Sequence, residues 1–181
     1  MPLRSGAILE TTAGNVPSLT GTPADGTSFS VVSLAEVPDI IPTLAEWLYH
    51  QWGHLQPDDS VSRRVQALQE RLDVGRIPFT LAAVRGHTPL GCASVVEHDI
   101  PGRPDLSPCV ASVFVHPSYR KQGVGSALME RVTTQAFRLG YERLYLFTWD
   151  QERLYRSLGW ETMETAPYRG DRIVIMRRFR T

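Results

Sequence analysis

Apolar residues recur along this chain with two periods, and the switches between them outline its elements. Phe29 to Leu34, with valines at its centre, reads as a strand. Behind Pro38, a residue suited to a helix start, Ile40, Ile41, Leu44, Trp47, Leu48 and Trp52 return at helical spacing. Pro57-Asp58-Asp59-Ser60 is a turn and cap cluster, and Val61, Val65, Leu68 and Leu72 then stripe a second helix that stops at Gly75. Phe79–Val84 and Leu90–Glu97 read as strands joined by Arg85-Gly86-His87-Thr88-Pro89, a hairpin signature. A proline-rich loop, Ile100–Pro108, leads to the strand Cys109–Val115. A helix from Gly123 to Gly140 follows, then a buried strand Arg143–Thr148 and a two-turn helix between Asp150, as cap, and Gly159, as stop. Two strands close the chain, the last through Ile173-Val174-Ile175-Met176. An antiparallel meander followed by a βαβ unit predicts an α/β (α+β) domain with a mixed, mostly antiparallel sheet flanked by about four helices.

Residues 1–28, rich in Thr, Gly, Ser and Pro, show no sustained period and read as a flexible arm with an extended piece near Ala7-Ile8-Leu9. The domain is expected over 29–181. Composition narrows the function classes. Lys+Arg and Asp+Glu are 19 each, so no bulk basicity points to nucleic acid or a membrane surface. No apolar run is long enough to span a bilayer, and the N-terminus lacks a signal-peptide pattern. Cys92 and Cys109, each inside a predicted strand, read as buried thiols of a reducing, cytoplasmic compartment. His50 and His54 are four apart, but Gly53 and Pro57 argue against one helix presenting both to a metal, so none is expected.

The stretch Val113-Phe114-Val115-His116-Pro117-Ser118-Tyr119-Arg120-Lys121-Gln122-Gly123-Val124-Gly125-Ser126 carries the chemistry. A strand passes through a basic turn into a helix through two glycines. The first amides of a helix have no intrahelical partner, and the helix dipole is positive there. Gly123 and Gly125 remove side chains that would hold a phosphate off the backbone, while Arg120 and Lys121 add charge. These residues describe a diphosphate cradle. A dinucleotide-binding loop would want glycine or alanine at Leu128, and a Walker A loop would want Lys-Ser/Thr after its second glycine. A glycine-rich turn without a ligand remains the plain alternative.

Arg120-x-x-Gly123-x-Gly125 resembles the coenzyme A loop of the GNAT superfamily of N-acetyltransferases. Tyr155-Arg156-Ser157-Leu158-Gly159-Trp160 resembles that family's second motif, one helix, one strand and one turn further on. The resemblance implies that the strands before and after the glycine-loop helix splay apart and hold acetyl-CoA. Val113, Phe114 and Val115 would flank the pantetheine arm. Arg120, Lys121, Gln122, Gly123, Val124, Gly125 and Ser126 would surround the pyrophosphate.

Acetyl transfer to an amine needs a neutral amine, donors for the developing oxyanion and a proton for the departing thiolate. Tyr155 is the expected general acid. The family often carries an acid on the strand before the glycine loop, where this chain has Val110-Ala111-Ser112-Val113. Glu97 is the expected replacement as base, with His50, Trp52 and His98 on the acceptor side. The acceptor is expected to be a small-molecule amine or a peptide N-terminus, and the resemblance also suggests a homodimer. A non-catalytic acyl-CoA sensor built on the same motifs is the alternative.

Overall fold

The computed structural model describes residues 19–21 and 28–181. Eight strands form one sheet: β1 (Leu19–Gly21), β2 (Phe29–Ser33), β3 (Phe79–Arg85), β4 (Thr88–Val96), β5 (Cys109–Val115), β6 (Arg143–Thr148), β7 (Glu161–Tyr168) and β8 (Asp171–Phe179). Their spatial order is β1-β2-β3-β4-β5-β6-β8-β7, and every neighbour is antiparallel except β5 with β6. Four helices flank them: α1 (Ile41–Trp52), α2 (Val61–Gln69), α3 (Val124–Arg138) and α4 (Glu152–Ser157). This is the expected mixed, mostly antiparallel sheet. The sheet also begins earlier than the domain expected at residue 29, because Leu19–Gly21 pairs with Phe29–Val31. Three residues are too few to show a period of two. The extended piece expected near Ala7-Ile8-Leu9 lies outside the described residues.

Two apolar layers clamp the sheet. Ile41, Leu44, Ala45 and Leu48, all buried, face one side of it from α1, where they pack with Leu34, Leu68, Ala82, Cys92 and Phe114. Their spacing of three, one and three residues is that of a single helix face. On the other side α3 lays Val124, Leu128, Met129, Val132 and Ala136 against Phe79, Leu81, Val95, Val110, Leu144 and Leu146. A third cluster, which includes Ile100, Leu106, Tyr145 and Ile175, covers the β6–β8 half beneath the proline-rich loop.

Boundaries moved where local chemistry outweighed the apolar stripe. Helix α2 stops at Gln69, short of the expected Gly75, although Leu72 still packs on the α1 cluster. Its start is as expected: Ser60 Oγ accepts from the Arg63 N–H at 3.2 Å. Asp59 takes Arg64 Nε and Nη2 at 2.9 and 2.6 Å, tying the helix to the turn before it. At α4 the cap is Gln151 rather than Asp150, because Thr148 Oγ1 accepts from the Gln151 N–H at 3.0 Å and settles the turn one residue later. Gly159 ends this helix with φ of 81°, a conformation that favours glycine.

Strands β4 and β5 approach unusually closely at Gly91. A Cβ there would stand 2.3 Å from the Phe114 carbonyl oxygen and 3.0 Å from Val115 Cα, both backbone atoms that cannot turn aside. Gly91→Ala is therefore expected to push β5 away and destabilise the fold by about 1–3 kcal/mol, as other overpacked interiors are. Urea unfolding checks this through a lower midpoint at unchanged slope.

Candidate functional site

Strands β5 and β6 meet at one register pair, Cys109 opposite Tyr145, with the Tyr145 N–H on the Pro108 carbonyl at 3.0 Å. Beyond that pair they part. Strand β6 is committed to β8 along its whole length, from Arg143↔Phe179 to Thr148↔Val174. Strand β5 is committed to β4, but its register jumps from Ala111↔Ser94 to Phe114↔Cys92, so Ser112 and Val113 face Ala93 alone. Ser112 takes φ of 54°, the left-handed region that non-glycine residues rarely occupy. Such a bulge bends and twists its strand.

The bulge also resets which backbone groups face the gap. The His116 N–H donates to the Leu90 carbonyl at 2.9 Å, so that end of His116 serves β4. Val115, one residue earlier, turns its carbonyl the opposite way, where it accepts from Arg120 Nε at 3.0 Å. By alternation Val113 and Val115 direct their main-chain groups into the gap, whereas Phe114 faces β4.

At the end of β5 the chain makes a single turn of tight helix, Pro117–Tyr119, and reaches the glycine loop. Lys121 at φ 62° and Gly123 at φ 79° bend it so that α3 starts at Val124. Gly123 supplies no side-chain cap, which leaves the first amides of α3 open to a ligand. A Cβ on Gly125 would meet only Val115 Cγ2, at an ordinary 3.6 Å. Packing within the protein thus does not demand glycine there, and an added side chain would occupy the cleft.

The gap, loop and neighbouring elements enclose a cleft of about 830 Å³. Val113, Phe114, Val115, Arg120, Lys121, Gly123, Val124, Gly125 and Ser126 all line it, as do Trp52 and Tyr155. Gln122 does not. Its amide donates to the Ser118 carbonyl at 3.2 Å and its oxygen faces Arg85 Nη2 at 3.5 Å, so it braces the loop from behind. His50 and Glu97 are exposed and stand outside the lining. His98 lines a smaller hollow of about 270 Å³ beside the cleft.

The ring of Tyr155 is buried beside Trp160, at 6.4 Å between centroids. Its hydroxyl has no hydrogen-bond partner among the described residues. Burial, with Asp150 adding repulsion, pushes the phenol up to about 12. It therefore stays protonated across the physiological range.

Asp99 lines both the cleft and the smaller hollow, two residues beyond Glu97. Its side chain keeps access to solvent, but the protein wrapped around it still desolvates the carboxyl and pushes it up to about 6, against the pull of Arg71 and Arg64. Asp99, Arg64 and the aromatic group Phe147, Trp149 and Tyr168 are among the wall residues that the sequence did not single out. Phe147 and Trp149 pack edge to face at 5.2 Å and Tyr168 closes the group at 5.9–6.0 Å. They come from β6, the turn after it and the end of β7, and no sequence spacing links those segments. Among the described residues, no group of three or more His, Cys, Asp or Glu is placed to hold a metal, and no helix is long and apolar enough to cross a membrane.

Comparison with known proteins meets this geometry at both levels. The pattern of the Acetyltransferase (GNAT) family matches residues 41–160. The amino-acid acetyltransferase of Mannheimia succiniciproducens is 29% identical over 141 residues, covering 72% of this chain and 29% of that protein. That of Escherichia coli K12 is 30% identical over 104 residues, 55% of this chain and 22% of the relative. The chain thus spans less than a third of these curated relatives. In three dimensions it superposes on yncA of Salmonella typhimurium, a structure with its cofactor acetyl-CoA, at a TM-score of 0.67 and 17% identity over 83% of this chain and 93% of that one. An aminoglycoside 6'-N-acetyltransferase complexed with coenzyme A gives 0.66 at 15% identity, over 82% and 96%. At such identities the likeness is one of fold. The family pattern covers most of the chain, including both the glycine loop and the Tyr155 motif, and the chain belongs to the GNAT family of acetyltransferases.

Proposed function

We propose that this chain is an acetyl-CoA-dependent N-acetyltransferase that moves the acetyl group directly to a primary amine. The observation that carries the reading is a single cleft that brings together the unpaired edge of β5, the open start of α3 and Tyr155. Gly123 and Gly125 leave room for the pyrophosphate against the amides of α3, with Arg120 and Lys121 at the rim. The main-chain groups of Val113 and Val115 offer the pantetheine amides the strand partner that β6 does not supply. Bound acetyl-CoA would bring an acetyl thioester to the middle of the sheet.

Three proton movements remain: one leaves the ammonium before attack, one leaves the attacking nitrogen for solvent as the amide forms, and one reaches the departing thiolate; the wall has a group for the first and the last. Asp99 accepts a proton from the ammonium form of the acceptor, directly or through water, in the role expected of Glu97. Tyr155 meets the departing thiolate. A thiol near ~8.5 leaving against a phenol near ~12 makes complete proton transfer uphill by about 5 kcal/mol. Tyr155 therefore acts as a hydrogen-bond donor that strengthens as charge builds, and solvent completes the protonation. A covalent cysteine route has no support: burial pushes the thiols of Cys92 and Cys109 up to about 12 and about 11, which denies either a thiolate.

Tyr155→Phe is expected to lower kcat about 10²- to 10³-fold, as removal of a transition-state donor does, while coenzyme A binding measured by calorimetry persists. Free-thiol release from acetyl-CoA across an amine panel reads the rate; binding without release from the wild type would favour the acyl-CoA sensor instead. Gly125→Val should weaken coenzyme A binding at least about ten-fold, or about 1.4 kcal/mol, without lowering the melting temperature. With Asp99 as proton acceptor, kcat/KM should rise as pH passes about 6 and then level off. In Asp99→Asn that limb should vanish and the rate should climb instead toward the pKa of the amine, about 8–10.

A further inference from the structure

The smaller hollow opens off the cleft where Gln56, Arg64, Asp99, Ala111 and Ser112 belong to both walls. Ser112 lies three residues before Val115, about 10 Å along β5 from the strand end that leads into the glycine loop. This corner is therefore on the acceptor side of the gap. At about 270 Å³ the hollow equals the liquid volume of about nine waters, room for a carboxylate and a short stem.

Its charges are arranged unevenly. Arg63, Arg64 and Arg71 line it against Asp59 and Asp99. Asp59 is already taken by Arg64 at 2.6 Å. Arg71, half-buried just past α2, makes no side-chain hydrogen bond or ion pair among the described residues, although it acts on Asp99 electrostatically. Of the two guanidiniums that act on Asp99, Arg64 is held by Asp59 and Arg71 alone is uncommitted, and with Arg63 also in the lining the hollow carries three arginines against two carboxylates. A guanidinium in a partly desolvated recess favours a planar carboxylate that it can hold with two parallel N–H bonds.

Resting on the N-acetyltransferase reading, we infer that the acceptor is an amine that also carries a carboxylate, of the α-amino-acid type. Its carboxylate seats on Arg71 in the hollow and its amino group turns toward Asp99 and the gap. The juxtaposition matches a zwitterion end for end. Asp99 attracts the ammonium, and Arg71, with Arg63 at the rim, attracts the acid. Simple alkylamines lack the second anchor. Arg71 is here a specificity residue that binds the acceptor and takes no part in the acyl transfer.

The test compares α-amino acids with their own decarboxylated amines, for example phenylalanine with phenethylamine and leucine with isopentylamine, across the full proteinogenic set. The wild type should prefer the acid member of at least one pair by about ten-fold or more in kcat/KM. Arg71→Gln should collapse that ratio through KM for the acid, and Arg71→Lys, which keeps charge but not the fork, should restore part of it. Equal use of acids and amines by the wild type, or a ratio that survives Arg71→Gln, overturns the inference while leaving the transferase reading intact. If no amine is acetylated, the transferase reading fails, and calorimetric titration of the same pairs into coenzyme A-saturated protein reads the hollow by itself. Carboxylate-dependent heat that Arg71→Gln abolishes then supports the subsite, and its absence overturns it.

Discussion

The bulge at Ser112–Val113 is the constraint on which the rest of the site depends. Without it β5 would present Ser112 and Phe114 to the gap, and Val113 to β4. With it, the two valines before the glycine loop turn their main-chain groups outward and the strand bends away from β6. The bulge is held from three sides. Gly91 lets β4 press on the Phe114 carbonyl, the Cys92 thiol donates to the Ser112 carbonyl at 3.7 Å, and Arg120 fastens the Val115 carbonyl beyond it. A left-handed serine costs backbone energy, of order 1–3 kcal/mol for a residue held in a sparsely populated region. The surrounding pairs sustain it: opposite the bulge, Ala93 of β4 is held on its other side by Leu81 of β3, and β4–β5 pairs resume on both sides of Ser112 and Val113.

Once β5 and β6 diverge, the sheet behaves as two halves hinged on Cys109↔Tyr145. Helix α3 shares one apolar cluster with Phe79, Leu81 and Val95 on one half and Leu144 and Leu146 on the other. The same helix offers its open N-terminus to the cleft, so the element that closes the split also supplies its anion-binding end. Tyr155 completes the enclosure from the second half, held by Trp160 and the turn that Gly159 permits. On the proposed function the chemistry is distributed, with the phosphates on one half, Tyr155 for the thiolate on the other, and the acceptor in the corner where the cleft meets the smaller hollow.

That distribution also explains the electrostatics. Tyr155 and the two cysteines are surrounded by apolar groups, so burial keeps them protonated. Asp99 sits in a concavity with arginines opposite and remains within reach of solvent, so its proton can leave near neutrality. A phenol that stays protonated and a carboxylate that ionises near neutrality suit the donor and acceptor roles of the proposed direct attack.

The amino-acid sequence by itself determined the elements whose signals are local. The apolar stripe of α1, the hairpin of β3 and β4, the glycine stops at Gly140 and Gly159 and the loop from Arg120 to Gly125 each lie within a short run of residues, and each was legible there. Even the split between β5 and β6 followed from the resemblance those motifs carry. Only the tertiary structure decided which side chains share the cleft. Glu97, His98 and Asp99 are consecutive, past the last paired residue of β4, and with no ladder to impose alternation nothing in their order tells which one faces inward. Arg71 and Asp99 are 28 positions apart, and Phe147 and Tyr168 are 21 apart. They come together because the sheet stacks their strands and turns, a long-range consequence of packing that no local period encodes.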